Sequence, residues 1–325
     1  MKILITGANG FVGRSLTRVL LDAGHQVVGL TSRPFDGDPA LVQRYSPARD
    51  FIDIDQCWPH DDAVDCVVHL AARVHQREEA RQSFDTRLAA YRETNVEGSL
   101  RVARAAWKNG VRRLIFVSSV KAMGESEPGY PSHAWSERDT PMPVDPYGIS
   151  KEEAERALLS LGQNTRMEVV VVRPPLVYGP GVRANFLQLL RAATSGLPLP
   201  FGAITARRSM IYIGNLSDAI ARCCTHPAAA GQVFNVSDGV DVTVPELITD
   251  IARLHGVRVR LWRLPVSWLE RICRLAGRAD QVQRLVSPLR VDTTHIRLTL
   301  AWVPPYTVTD GIRATLAAVT AGTRH

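Results

Sequence analysis

Short apolar runs recur along the first half of the chain, separated by longer stretches in which apolar positions return every three or four residues. Residues 2–6 (KILIT) form the first run, followed by 25–30 (HQVVGL), 51–54 (FIDI), 66–72 (CVVHLAA), 113–119 (RLIFVSS) and 168–174 (EVVVVRP). Most of these runs are continuous rather than alternating, which suits strands buried on both faces. After the first run, Val12, Leu16, Val19 and Ala23 share one helical face, and Gly24 follows as a C-terminal stop. Helical periodicity also spans about 84–109 and 147–162. Strands alternating with helices predict an α/β fold over residues 1–175, a doubly wound parallel Rossmann sheet with right-handed crossovers.

The punctuation changes after Pro174. Prolines and glycines crowd 174–202, and short helical patterns at about 185–195, 215–226, 244–256 and 266–276 alternate with short strands. Residues 176–325 therefore read as a smaller α+β substrate-binding lobe, with 231–238 (GQVFNVSD) free to return to the first domain. One stretch, 257–290, carries eight arginines against Glu270 and Asp280, with Trp262, Leu264, Trp268, Leu269, Ile272 and Cys273 between them. A basic amphipathic helix of this kind lies on a membrane or packs its apolar face on a core. Core packing is the expectation, because that is the usual fate of an amphipathic helix.

Composition narrows the class. The chain has 325 residues, 45% of them hydrophobic and 22% charged, as in soluble globular proteins. No apolar run reaches the roughly 18–20 residues of a membrane span. The first strand starts at Lys2, which leaves no room for a signal peptide. The five cysteines (57, 66, 223, 224 and 273) lack C-x-x-C spacing, and the nine histidines lack metal-ligand spacing. A reduced, cytoplasmic protein with no bound metal is expected. The formal net charge of +7 suits an anionic small substrate. No basic-plus-aromatic platform for nucleic acid stands out, so nucleic acid is not an expected partner.

Two motifs carry chemistry. Residues 6–13 read TGANGFVG, with Gly7, Gly10 and Gly13 directly after the first strand and at the opening of a helix. That context makes a dinucleotide-binding loop: glycines allow a tight turn and close backbone approach, and pyrophosphate rests on the free N–H groups of the helix terminus. The second strand ends Thr31-Ser32-Arg33 without the acid that binds adenosine ribose. Arg33 suits a 2′-phosphate, so NADP is the expected cofactor, with NAD also admissible. The second motif is Tyr147-Gly-Ile-Ser-Lys151. Residues i and i+4 share a helical face, and an ammonium beside a phenol favours the phenolate. Such a tyrosine exchanges protons with a hydroxyl or carbonyl. Ser119, at the end of a central strand, is placed to hydrogen-bond the reacting oxygen.

TGANGFVG, HLAAR (69–73), Asn95 in TNVEG, FVSS (116–119), YGISK and RPPLVYGPG together resemble the extended short-chain dehydrogenase/reductases of the NAD-dependent epimerase/dehydratase family. The resemblance covers about 1–220 and weakens beyond. It implies that Ser119, Tyr147 and Lys151 are a catalytic triad and that Asn95 supports the lysine. It also implies cofactor contacts from Asn9, Phe11 and Val12 of the loop, from Asp53 and Ile54 near adenine (Asp55 competing), from Leu70, Ala71 and Ala72 along the groove, and from Pro174 at the nicotinamide. Helices 84–109 and 147–162 would form a homodimer interface.

Within the family the nearest resemblance is to UDP-N-acetylquinovosamine dehydrogenases and UDP-hexose 4-epimerases. It implies a UDP-linked deoxy-aminosugar as partner. Lys121, Asn185 and Arg208 would then join Ser119 in holding substrate, with Arg290 or Arg284 as a second phosphate ligand. The family's dehydratases carry an acid pair after the catalytic hydroxyl. Val120 and Lys121 stand there instead, which disfavours elimination. The expected reaction is reduction of the C4 keto group of a UDP-4-keto-6-deoxy-N-acetylhexosamine for O-antigen synthesis, with a UDP-sugar 4-epimerase as the alternative. A cofactor sensor without turnover is the reading from another class.

Overall fold

The computed structural model describes residues 1–60, 63–74, 82–124, 133–275, 283 and 285–322. Seven strands form one sheet: β1 Lys2–Thr6, β2 Gln26–Thr31, β3 Val42–Tyr45, β4 Cys66–His69, β5 Arg113–Val117, β6 Glu168–Arg173 and β7 Val233–Asn235. Their order is β7-β6-β5-β4-β1-β2-β3, and every neighbouring pair is parallel. The order reverses between β1 and β4, which opens a crevice at their carboxyl ends where ligands of such sheets bind.

Alternation along the strands fills two cores. Ile3, Ile5, Val68, Ile115, Val170 and Val172 pack on one face with Leu16 and Leu20 of helix α1 (Phe11–Asp22). Leu4, Val28, Val67, Leu114, Phe116 and Val171 pack on the other. That face is covered by helices α3 (Ser99–Lys108) and α4 (Pro146–Asn164), through side chains such as Val102, Ala106, Ala154 and Leu158, while α2 (Phe84–Arg92) packs on α4. Burial on both faces is why these runs lack polar alternation.

One expected strand is absent. Residues 51–54 are not extended: Asp50 and Phe51 hold positive φ, and a short helix, Ile54–Cys57, begins after Asp53. The third strand is Val42–Tyr45, at the sheet edge, with Val42 and Tyr45 exposed. An edge strand buries little, so it shows no continuous apolar run.

The second half of the chain returns to the sheet. β7 pairs with β6, and helix α6 (Ile213–Thr225) sits beside α1 on the first core through Leu216 and Ile220. Arg113, buried on β5, donates to the carbonyls of Cys223, Cys224 and His226 at the end of α6 while pairing with Glu168. A cation there satisfies the last orphan carbonyls of the helix. A third core joins helix α5 (Ala184–Thr194), α7 (Val244–His255) and α8 (Val266–Leu275) through Phe186, Leu190, Leu247, Ile251 and Leu269. Among the described residues no helix is long and apolar enough to cross a membrane.

Candidate active site at the carboxyl edge of the sheet

The glycine loop joins β1 to α1. Gly7 holds φ +71°, and a Cβ there would meet the backbone nitrogen of Ala71 at 3.1 Å. At Gly13 a Cβ would lie 2.3 Å from the carbonyl oxygen of Gly7. The loop therefore folds tightly on itself and against the end of β4. Gly10 is the N-cap of α1, with no side chain capping that terminus. A groove of about 930 Å³ runs from the loop along α1, bordered by Asn9, Phe11, Arg14, Arg18, Phe35 and Arg183, and Ser119, Tyr147 and Lys151 do not line it. An uncapped helix start in a cradle that side chains would fill fits the diphosphate of a dinucleotide. Val12 is partly exposed in the first turn. Arg33 is exposed, and its carbonyl accepts from the Thr31 hydroxyl at 2.8 Å. We expect Gly13→Ala to abolish retention of nicotinamide cofactor, measured by absorbance of the purified protein, because the backbone must shift to admit the methyl group.

The residues expected to be catalytic hang on β5 and α4. Ser119 follows β5 and caps a short turn, Val120–Ala122, accepting from the N–H of Lys121 at 3.2 Å. Its hydroxyl is hydrogen-bonded to Tyr147 on the first turn of α4. Lys151 lies one turn further and is buried. Its Nζ donates to the carbonyl of Val117 at 2.9 Å and sits 4.5 Å from the centre of the Phe116 ring. Asp145 caps α4, accepting from the N–H of Gly148 at 2.8 Å. Lys121 pairs with that same carboxylate at 2.5 Å. The close seating of α4 explains Gly148, where a Cβ would lie 2.4 Å from the carbonyl oxygen of Lys121. Lys121, expected to touch substrate, thus pairs with the carboxylate that caps α4.

The electrostatics differ from the expectation of a tyrosine made acidic by its lysine. Burial pushes the Tyr147 phenol up to about 12, against the opposing pull of its hydrogen bond with Ser119. Burial lowers Lys151 to about 8, with the carboxylate of Glu155 acting the other way. Desolvation disfavours both charged forms and outweighs the pairwise attraction. Without cofactor, Tyr147 is a neutral proton donor throughout the physiological range. Lys151 is protonated below about 8 and neutral above it. We expect kcat/KM to fall as pH rises through about 8, and Lys151→Arg to remove that alkaline limb even where it lowers the rate.

Asn95 occupies a wide turn, Glu93–Gly98, with hydrogen bonds of π type between α2 and α3. Such widenings favour functional positions. Its side chain accepts from the N–H of Arg73 at 2.8 Å and donates to Ser150 at 2.9 Å. Asn95 therefore reaches the lysine only through its neighbour on α4. Its carbonyl accepts from Ser99, which contacts His69, and the other ring nitrogen of His69 meets Thr6 at 2.7 Å. Burial holds that imidazole down at about 3, so a neutral polar chain ties β1, β4, α3 and α4 together.

The remaining expected contacts divide. Leu70 and Ala71 follow β4, their N–H groups donating to the carbonyl and hydroxyl of Thr6 respectively; Ala72 follows them, partly exposed. Pro174 is buried beside Ser119, its carbonyl accepting from Val120 at 3.0 Å. The carboxylate of Asp53 is taken up by its own turn, accepting from Ser46 at 2.5 Å and from the N–H of Ala48 at 3.1 Å. Ile54 is buried in the second core. Asp50 and Phe51, not singled out from sequence, reach the carboxyl edge instead. Asp50 accepts from Thr94 beside Asn95, and Phe51 lies edge-on to His69 at 5.7 Å. Both hold positive φ, 55° and 58°, a costly pair of conformations for non-glycine residues.

On the substrate side, Arg208 donates to the carbonyl of Ser287 and is bridged to Leu289, so Arg290 arrives next to it, paired with Asp241 at 2.5 Å. Arg284 lies outside the described residues. Asn185 is exposed at the start of α5.

Comparisons with known proteins show the family. Residues 3–237 match the NAD dependent epimerase/dehydratase family. A UDP-glucose 4-epimerase of Vibrio cholerae is 39% identical over 322 residues, 98% of this chain and 95% of that one. A GDP-6-deoxy-D-mannose reductase of Pseudomonas aeruginosa is 28% identical over 97% of this chain and 96% of its own. The fold matches a Thermus thermophilus UDP-glucose 4-epimerase in complex with NAD, with a TM-score of 0.77 at 20% identity, over 98% of this chain and 99% of that one. A glycine cradle, a Ser–Tyr–Lys arrangement and a family match over most of the chain lead to one conclusion: this protein belongs to the NAD dependent epimerase/dehydratase family.

Proposed function

We propose that the protein interconverts the C4 epimers of a UDP-sugar by oxidising C4 and returning the hydride to the opposite face. The observation that carries this is the hydrogen-bonded Ser119–Tyr147 pair beside buried Lys151, at the carboxyl end of β5. The full-length likeness to a UDP-glucose 4-epimerase supports the direction. Bound nicotinamide would supply the hydride chemistry. As the phenolate, which the loaded site has to stabilise because burial alone holds the phenol neutral, Tyr147 takes the proton of the C4 hydroxyl and gives it back, Ser119 holds that oxygen, and Lys151 supplies positive charge beneath both. Arg208 and Arg290 grip the diphosphate, since guanidinium groups bind such oxygens with paired charge-assisted bonds. Asp50 and Phe51 would hold the adenine end of the cofactor, and Asn185 would meet the uridine end of the substrate.

A second reading is reduction of a UDP-4-keto-6-deoxy-N-acetylhexosamine with NADPH. The residues favouring it are Thr31, Ser32 and Arg33 at the end of β2, where no acid is present to bind the ribose of NAD. The experiment incubates purified protein with UDP-glucose or UDP-N-acetylglucosamine and no added cofactor, and in parallel with the keto sugar and NADPH or NADH. Appearance of the C4 epimer without added cofactor establishes the epimerase. Stoichiometric loss of NADPH absorbance with no epimer formed establishes the reductase.

A further inference from the structure

Helix α8 does not bury its apolar face as an ordinary amphipathic helix does. Leu269 packs into the third core, with Val266 and Cys273 against it. Trp268, Ile272 and Leu275 are 57%, 51% and 91% exposed. At 100° per residue these three form one stripe along the helix. Arg271 and Arg274 flank that stripe, and both are exposed. The segment leading into the helix continues the pattern. Trp262 is 66% exposed, and its backbone pairs with Leu199, two residues from exposed Leu197. Arg258, Arg260 and Arg263 on that segment are exposed too. None of these five arginines makes an ion pair among the described residues. Over residues 258–274 the only acid is Glu270.

We propose that this face binds the anionic surface of a lipid bilayer, with Trp268, Ile272 and Leu275 inserted at headgroup depth and the arginines on lipid phosphates. Charge and shape both select that partner. Indoles prefer the interface between water and hydrocarbon, aliphatic side chains prefer what lies just below it, and cations gain from the negative leaflet potential. A second copy meeting the same face would bring arginine against arginine. Single-stranded nucleic acid would stack on the indoles but has no use for Ile272 and Leu275.

The test pellets the full-length protein with vesicles of phosphatidylglycerol and phosphatidylethanolamine, and with vesicles of phosphatidylcholine alone. Binding is expected on the anionic vesicles and falls as salt is raised. Arg271→Glu with Arg274→Glu should weaken it by at least ~25-fold, at about fivefold per arginine. Trp268→Ser with Ile272→Ser should remove binding with every charge intact. Both variants should keep the far-ultraviolet circular dichroism and the turnover of soluble UDP-sugar, since these residues lie outside the catalytic constellation. Three outcomes would overturn the proposal: no pelleting on anionic vesicles, equal pelleting of wild type and variants, or variants that change the sedimentation coefficient of the free protein. Tighter retention by oligo-dT than by vesicles at the same salt also overturns it.

Discussion

Tyr147→Phe lowers turnover of the UDP-sugar by at least ~10²-fold while the protein stays folded and keeps its cofactor. The substitution deletes one hydroxyl and leaves the ring, which packs edge-on to Tyr91 at 6.1 Å. What is lost is the proton donor and acceptor. Burial holds the phenol neutral, at about 12, in the cofactor-free protein, so the phenolate that accepts the proton forms in the loaded site. Ser119 remains able to hold the sugar oxygen but sits at the end of a strand, with no comparable base beside it. Steady-state turnover and the absorbance of retained nicotinamide, measured on the same preparation, separate chemistry from binding. Turnover close to that of the wild type would remove Tyr147 from its assigned role.

Glu155→Gln costs about 3–5 kcal/mol of folding stability. Glu155 and Arg173 face each other with side chains 4% and 7% exposed, joined by an Nη2–Oε2 bond of 2.5 Å and by Nε contacts of 3.0 Å to both carboxylate oxygens. Nη1 of Arg173 is already buried without a partner. Removing the carboxylate charge strands a guanidinium in the interior. Glu155→Leu with Arg173→Met should recover most of the loss, because a well-packed apolar pair tolerates burial better than a lone charge. Urea denaturation followed by circular dichroism reads both effects. A kinetic signature accompanies them. Glu155 lies one turn beyond Lys151 and raises its pKa, so its loss moves the alkaline limb of kcat/KM below 8. A variant as stable as wild type would contradict the assignment of a buried, mutually dependent pair.

Much of the sheet and the loop was legible because the relevant signals are local. Residues 2–6, 66–69, 113–117 and 168–173 announce themselves by being apolar on both faces, and Gly7, Gly10 and Gly13 by their position between a strand and a helix. What was not legible depends on partners far away in sequence. Val42–Tyr45 is an edge strand and lacks the double-sided pattern. The left-handed pair at Asp50 and Phe51 has no glycine to flag it. The pairing of Lys121 with Asp145, 24 residues on, leaves no mark in the local sequence. The phenol of Tyr147 was expected to be acidic because a spacing of four shows that a lysine is near, yet it says nothing about how much water has been excluded. Helix α8 shows the same limit. Its periodicity is clear, but periodicity does not say which stripe the core claims, and Leu269 is buried while Trp268 is not.

The junction at Arg113 bears on how relatives of this protein can exchange parts. Gene fusions and chimaeras tend to be cut where a sequence changes character, which here is Pro174. A chain ended there would lack Val233–Asn235, leaving the Glu168–Arg173 ladder open as an adhesive edge, and would leave Arg113 facing three missing carbonyls. Sugar preference would therefore not travel as a detachable cassette. A functional swap between two such proteins has to move the segments that bind substrate while leaving 213–236 with the cofactor half, which breaks the chain at several points rather than one.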